Sequence, residues 1–346
     1  MRIVYWNTSC LQPEIEAVSK EVFQLARHFR DSLLVGINPH YQFCASFRRR
    51  YIGFHPRLDL LLRILIPLIE QTCDISHVYG EAAPWTFYKT LRRKPLILTI
   101  ASEKGDPRVD FLERCRKVVV QTDTYYQKLL DLGIDRKKIE VLYPGVDLVK
   151  FRPLNRDLRS AEAPKVLFAT APRSKEEMES RGVYLLLEAA KENPQINYHL
   201  LYRKWRNHYT SLRITKEKIE AEQLKNVILT NSVIPSMTYV YHQHHFTVIP
   251  YTSADGGKSC PVSLIEGMAC GLPVLISSVA PLASFVWERK CGVVFEPTPS
   301  GLIAAVKTGM NQYVALSTTA VRIAKEYFSE KRFLERMGRI YQEVMA

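Results

Sequence analysis

The sequence predicts an α/β protein built from two doubly wound parallel sheets, and three observations carry that expectation. Short runs of β-branched and aromatic residues alternate with helical patterns along the whole chain. The runs are continuously apolar, as strands covered by helices on both faces should be. The length, 346 residues, exceeds one comfortable core and suits two domains of ~150–180 residues each.

In chain order, the first half is expected to hold strands at Arg2–Trp6, Leu33–Ile37, Ser76–Tyr79, Leu96–Ile100, Val118–Gln121 and Glu140–Leu142. The second half is expected to hold them at Lys165–Ala169, Tyr198–Tyr202, Val227–Thr230, Phe246–Pro250, Val274–Ser277 and Val293–Phe295. Helical periodicity fills stretches between them, including Glu16–Phe29, Thr124–Leu132, Arg181–Glu192 and Val262–Met268. The polar stretch Arg152–Lys165, with Pro153 and Pro164 and no periodicity, marks the break. It separates an expected domain 1–155 from a second at 160–328. Ser329–Ala346 closes the chain as an amphipathic helix with Phe333, Met337, Ile340 and Tyr341 on one face. Two such lobes facing each other would leave a cleft at the carboxyl ends of their strands, where open α/β sheets take ligands.

Composition narrows the partners. Apolar residues at 47% and charged residues at 24% describe a globular chain rather than a disordered one. The formal charge of +13 attracts phosphates, whether on nucleic acid, an anionic membrane surface or a small substrate. No nucleic-acid module is evident, so a nucleic-acid partner is not expected. The seven cysteines are scattered, odd in number and never form CxxC, which fits buried thiols in a reducing compartment. The amino-terminal MRIVYWNTSC enters as a strand without a signal-peptide core, so a cytoplasmic location is expected. Leu58–Ile69 is the most apolar segment, but it contains Arg63 and Pro67 and is too short to span a bilayer.

The chemistry concentrates in Tyr251–Ser278, which reads as strand end, glycine-containing loop, helix, then Gly271-Leu272-Pro273 into another strand. A loop feeding a helix start presents unbonded amides and a positive dipole end, able to hold a diphosphate without a metal. Pro261 suits that first turn. Glu266, about one turn in, is placed to accept hydrogen bonds from vicinal ribose hydroxyls. The alternative reading is an ordinary αβ unit with a solvent-exposed glutamate. No Asp-x-Asp pair occurs, so no metal site and no resident cofactor are expected. His242, His244 and His245 read as a surface cluster at a helix end rather than as metal ligands. Phe47–Tyr51, Arg57, Arg63 and Arg92–Lys94 make the first lobe basic. With apolar Leu60–Ile69 nearby, they suit anionic lipid headgroups or a lipid-pyrophosphate acceptor.

These segments resemble family 4 of the retaining glycosyltransferases (glycosyl transferases group 1), which have the GT-B fold. Glu266–Leu275, EGMACGLPVL, is similar to the family's E-A-M-A-C-G-x-P-V. Lys137–Phe151, KKIEVLYPGVDLVKF, resembles its K-I-x-V-I-x-N-G-V-D-x-x-x-F stretch, and Val118–Gly133 the strand and helix before it. Arg181-Gly182 occupies its Lys-Gly position, and Ser329–Tyr341 resembles its closing helix, which packs back on the first lobe. The resemblance implies a GT-B protein with an acceptor lobe and a donor lobe facing a cleft. It further implies metal-independent, retaining transfer from a UDP- or GDP-sugar to a glycan or lipid-linked acceptor.

Carried onto this sequence, the resemblance gives Glu266 the donor ribose and the amides of Val262 and Ser263 the diphosphate. Arg181 stands for the phosphate-binding lysine, with a planar fork in place of an ammonium. Arg173 and Lys175, in the loop after the second lobe's first strand, stand near the other basic phosphate ligand. The departures are specific. The first glutamate of the family pair falls on Lys258, which donates but cannot accept hydrogen bonds and suits a diphosphate or an acidic donor sugar. The family's Gly-Gly loop falls on Glu16-Ala17, with Ala17 small enough for close approach. The acceptor-side histidine falls on Ala101 in Leu98–Asp106, with Glu103 or Lys104 as neighbours that could compensate, and a second histidine position on Tyr79. Catalytic roles are thus expected for Lys258, Arg181 and Glu266. The alternative function is a non-catalytic GT-B-like protein that binds a sugar nucleotide or a partner. A nicotinamide-dependent oxidoreductase is disfavoured, because no G-x-G-x-x-G follows either lobe's first strand.

Overall fold

A computed structural model describes residues 1–10, 13, 16–37, 44–46, 50–54, 59–82, 90–103, 105–154, 163–204, 210–254 and 256–346. The chain divides into two compact units, Met1–Gly145 with Lys331–Ala346, and Val146–Glu330.

The first unit runs β1 (Ile3–Cys10), α1 (Ala17–His28), β2 (Leu33–Ile37), β3 (Cys44–Ser46), β4 (Tyr51–Phe54), α2 (Asp59–Gln71), β5 (Ile75–Glu81), β6 (Leu96–Ser102), α3 (Val109–Arg114), β7 (Lys117–Val120), α4 (Asp123–Asp131) and β8 (Ile139–Val141). Its sheet order is β3-β4-β2-β1-β5-β6-β7-β8. Every pairing is parallel except that of β3 with β4. A parallel sheet needs cover on both faces, and two apolar clusters supply it. Trp6, Val78, Leu98 and Val118 pack with Ile66 and Leu112 on one face. Tyr5, Tyr79, Ile97 and Val119 pack with Val18, Val22 and Leu25 of α1 on the other.

The second unit runs β9 (Lys165–Phe168), α5 (Lys175–Ser180), α6 (Val183–Glu192), β10 (Asn197–Tyr202), α7 (Thr210–Ala221), β11 (Val227–Asn231), α8 (Met237–Tyr241), β12 (Phe246–Ile249), α9 (Val262–Ala269), β13 (Val274–Ser277), α10 (Ala283–Arg289), β14 (Gly292–Phe295), α11 (Pro299–Asn311) and α12 (Tyr313–Tyr327). Its sheet order is β11-β10-β9-β12-β13-β14, with every pairing parallel.

The chain ends in α13 (Glu330–Met345). Phe333, Met337, Ile340, Tyr341 and Val344 are buried with Tyr5, Val18 and Val22 in the first unit's core. Each such side chain contributes ~1.5–3 kcal/mol of apolar burial. A polar tie runs through the same layer. The Tyr341 hydroxyl lies 2.8 Å from His77 Nδ1, His77 Nε2 lies 2.8 Å from Thr99 Oγ1, and Tyr341 donates to the Tyr5 hydroxyl at 3.2 Å. Burial pushes the His77 pKa down to about 3, so the imidazole is neutral there.

Apart from β4, the parallel strands fall where continuous apolar runs place them. The differences lie elsewhere. The basic stretch around Phe47–Tyr51 borders strands β3 and β4, which its charge hid. Tyr51, Ile52, Gly53 and Phe54 pair in register with Leu34, Val35, Gly36 and Ile37. Residues 47–49 and Arg57 lie outside the described residues, as do Lys104 and Asp255. The division between units falls at Gly145, ahead of the polar stretch expected to mark it. Val146 already bridges to Ser329, and Phe151 is buried, so these residues pack with the second unit. Among the described residues no helix is long and apolar enough to cross a membrane.

Candidate functional site

In the second sheet the chain runs β9, β10, β11 toward one edge and then β12, β13, β14 toward the other. The order reverses between β9 and β12, and the space outside their carboxyl ends is where such sheets take ligands. Phe168 leads there into Ala169-Thr170-Ala171, and Ile249 into Pro250-Tyr251.

Tyr251 organises the loop that follows. It is buried, its carbonyl accepts from Ser277 Oγ at 2.6 Å, and its hydroxyl donates to the Lys258 carbonyl at 3.4 Å. Gly256 and Gly257 pack against its side chain, Gly256 also against the Ser180 carbonyl. A Cβ on Gly256 would come within 2.8 Å of Tyr251 Cγ, and one on Gly257 within 2.8 Å of Cζ, closer than real Cβ atoms approach. The two glycines therefore serve close approach of the backbone to the Tyr251 side chain and, at Gly256, to the Ser180 carbonyl. This folds Lys258, half-buried, into the turn just ahead of α9.

Pro261, at φ −67°, caps α9, and Val262 and Ser263 form its first turn. Helix geometry leaves first-turn amides without an intrahelical carbonyl, at the positive end of the dipole. Glu266 lies one turn further on and is 5% exposed, which overturns the solvent-exposed alternative. Its Oε2 accepts from the Tyr241 hydroxyl at 2.9 Å. Burial, then the Glu266 charge, holds the Tyr241 pKa well above its ordinary value. The same two causes, in that order, push the Cys270 thiol up to about 12. A carboxylate accepts through both oxygens at about four lone-pair sites.

Arg181 ends α5 beside the reversal point. Its Nη1 donates to Thr170 Oγ1 at 3.1 Å and lies 3.4 Å from the Ala171 carbonyl. Its Nη2 pairs with Glu177 Oε2 at 3.1 Å. Gly182 follows at φ +72°, where a Cβ would overlap the Pro250 carbonyl. Only glycine allows this approach, and it presses the corner carrying Arg181 against the exit of β12. The amide of Thr252 reinforces the contact by donating to the Ser180 carbonyl at 3.0 Å.

The stretch expected as a loop after β9 is in fact helical from Lys175. Ser174 Oγ accepts from the Glu177 amide at 3.2 Å, and Glu176 and Glu177 fill the first turn. A serine cap followed by acids favours a helix start, a signal the high charge of PRSKEEMES concealed. Lys175 is exposed at that start. Arg173 is exposed beside it, its amide donating to Glu177 Oε2 at 2.9 Å.

Arg181, Lys258, Val262, Ser263 and Glu266 thus all sit on turns and helix ends at the carboxyl edge of one sheet. Lys175 opens α5 and Arg173 lies just ahead of its cap, flanking them. Ala17 belongs to the first unit, where it opens α1. There the Glu16 carboxylate is turned onto its own helix, accepting from the Ser19 amide at 2.8 Å. Tyr241, Tyr251 and Thr170 carry the site's geometry without any local sequence signal.

Three expected positions have structural tasks. Ala101 is buried in the first unit's core. Tyr79 donates to Glu21 Oε2 at 2.7 Å, where Gln121 Nε2 also donates at 2.6 Å. Glu103 Oε1 accepts from Thr122 Oγ1 at 3.3 Å. The histidine cluster is not at the surface, because His244 and His245 are buried. His244 Nδ1 bonds the Val240 carbonyl at 2.7 Å, so its Nε2 accepts from His199 Nδ1 at 3.1 Å. Burial pushes the His244 pKa down to about 4. His245 Nδ1 accepts from the Lys165 amide at 3.0 Å. No group of three or more potential metal-ligating side chains occurs among the described residues.

Known proteins bear on this geometry. Residues 166–312 match the family model for Glycosyl transferases group 1. A putative colanic acid biosynthesis glycosyltransferase, WcaL of Escherichia coli, is 26% identical over 180 residues, 49% of this chain and 41% of WcaL. Its Salmonella typhimurium counterpart is 24% identical over 193 residues, 53% of this chain and 45% of that protein. The matched region is thus less than half the length of either relative. Among solved structures, Anabaena HepE in complex with UDP superposes with a TM-score of 0.79 at 14% identity, over 99% of this chain and 100% of that one. A Rickettsia africae glycosyltransferase gives 0.75 at 15% identity, over 99% of each chain. These likenesses show the fold, two parallel-sheet α/β units of the GT-B class. Within that fold, residues 166–312 of the second unit are what resembles the group 1 glycosyltransferases.

Proposed function

We propose that this protein transfers a glycosyl group from a nucleotide-sugar donor to an acceptor hydroxyl, with retention of configuration and without a metal. The observation that carries this reading is Glu266, a buried carboxylate held by Tyr241 one turn inside the helix that follows β12, a strand at the reversal point of the second sheet. A nucleoside diphosphate fits that pairing. Its vicinal ribose hydroxyls donate to Glu266, and its diphosphate meets the amides of Val262 and Ser263. HepE, which shares the fold, is solved with UDP and with UDP-glucose, which supports this donor class.

In the proposed reaction the bond from the sugar's anomeric carbon to the diphosphate oxygen breaks. The acceptor oxygen bonds that carbon on the same face, and the departing phosphate takes the acceptor's proton. No side-chain nucleophile is needed. Charge building on the leaving diphosphate is stabilised by the start of α9, by Arg181 and by Lys258. Because Glu177 and Thr170 already hold the Arg181 guanidinium, the fork is preorganised, and phosphate shares it with Glu177. The first unit takes the acceptor, a glycan or lipid-linked hydroxyl compound.

Lys258 and the buried Ala101 favour a second reading, a sugar-nucleotide binder without transfer. Proton NMR of the full chain with UDP- and GDP-sugars and a panel of glycoside acceptors separates the two. Transfer predicts a product anomeric signal of the donor's own configuration. Binding without turnover across the panel supports the second reading, and stabilisation by NAD alone contradicts both.

A further inference from the structure

From the outer face of α2 and the turn beside it, we infer a docking surface for anionic membranes on the first unit. It goes beyond the transfer reaction, and its test does not depend on that chemistry. Ile64 and Leu68 stand four residues apart on α2 and are 64% and 58% exposed. That spacing puts both on one helix face. The inner face is fixed, since Ile66 is buried in the sheet's apolar cluster and Ile69 packs against it. The exposed pair is therefore not a loosely packed part of the core.

Basic residues border the pair in the chain and in the turn packed on α2. Arg63 precedes Ile64 and is exposed. Arg92 and Arg93 are exposed and Lys94 is half-buried in the turn leading into β6. That turn is fastened to α2, because the amides of Arg92 and Arg93 both donate to Glu70 Oε2 at 3.3 Å. The other Glu70 oxygen accepts from Ser76 Oγ at 2.9 Å. Arg93 Nη1 lies 3.5 Å from the Pro67 carbonyl oxygen, so its guanidinium reaches along the helix. Glu70 is the single acid among the described side chains of α2, and it is buried beneath the turn. The exposed side chains of residues 63–71 are Arg63, Ile64, Leu68 and Gln71, none of them acidic.

Two aliphatic side chains rimmed by guanidinium groups match the boundary of an anionic bilayer. The aliphatics enter the acyl region while the cations stay at the phosphates. Charge complementarity selects the occupant, because a neutral surface would gain nothing from Arg63, Arg92, Arg93 and Lys94. Each basic residue near an anionic surface strengthens binding on the order of fivefold at physiological ionic strength.

Cosedimentation of the full chain with vesicles tests this. Binding is expected to mixed phosphatidylglycerol–phosphatidylcholine vesicles and to fade with phosphatidylcholine alone or with added salt. Ile64→Ser with Leu68→Ser should weaken it by roughly tenfold or more. Arg92→Ala with Arg93→Ala should weaken it on the order of 25-fold. Lys216→Ala with Lys307→Ala, which removes equal charge from the second unit, should change it less than threefold, roughly the loss expected from net charge alone. Thermal unfolding of each variant confirms that it is folded. Failure of the wild type to bind the anionic vesicles overturns the proposal. So does equal weakening by the Lys216/Lys307 pair, or unchanged binding in folded Ile64/Leu68 variants.

Discussion

Glu266 is held as an acceptor in a place with little water. Its partner Tyr241 comes from a different helix and reaches it across 25 residues of chain. A buried carboxylate is stable only when hydrogen-bonded, so the pair acts as one unit. We expect Tyr241→Phe to lower the melting temperature and to weaken nucleoside diphosphate binding on the order of tenfold or more, the effect of losing about 1.5 kcal/mol from one hydrogen bond to a charged group. A lower melting temperature with unchanged affinity would mean that Tyr241 supports the fold without aiming the carboxylate. Glu266 was legible in the sequence because the residues after it form a local pattern, a helix closed by Gly271-Leu272-Pro273. Tyr241 was not, since nothing near it in sequence announces a partner created by packing. Lys258 was legible as a departure, but the reason for the glycines before it was not. That reason is the Tyr251 ring, a contact made in the folded loop.

At the scale of elements, parallel strands were legible because sheets covered on both faces leave continuous apolar runs. Strands β3 and β4 and helix α5 were hidden by charge, each fixed by a register or a cap rather than by an apolar pattern. Surface exposure was misjudged for His244 and His245, because three histidines in four residues read as polar while the fold encloses two of them. Two buried imidazoles make a pH signature. His77, between Thr99 of β6 and Tyr341 of α13, titrates at about 3 in the folded chain, and His244, beside β12, at about 4. Both values lie below the ~6.5 of an unfolded histidine, so acidification puts protons on the unfolded chain first. Their contribution is fully present above pH ~6.5 and declines as the pH falls toward those values, by at most ~1.4 kcal/mol per pH unit for each group. Urea denaturation at pH 7.5, 6 and 5 should show stability falling with pH, with a shallower slope for His77→Gln. A slope unchanged by that substitution would show that His77 takes up its proton without unfolding.

At the scale of the molecule, two parallel sheets are each wound both ways from a central reversal, and the last helix belongs to the first unit's core rather than to the second's. Two domains and a polar break were readable from length and composition. The point of division was not, because Val146 and Phe151 declare their unit only through a bridge to Ser329 and through burial. The central functional claim is that the second unit binds a nucleoside diphosphate through Glu266 and the start of α9. Calorimetric titration of UDP and of GDP into the full chain and into Glu266→Ala tests it most directly. One nucleotide is expected to bind the wild type, and the variant, still folded by its melting transition, to bind it at least tenfold more weakly, matching loss of about 1.4 kcal/mol or more of charged hydrogen bonding. Equal affinity in the two proteins would contradict it.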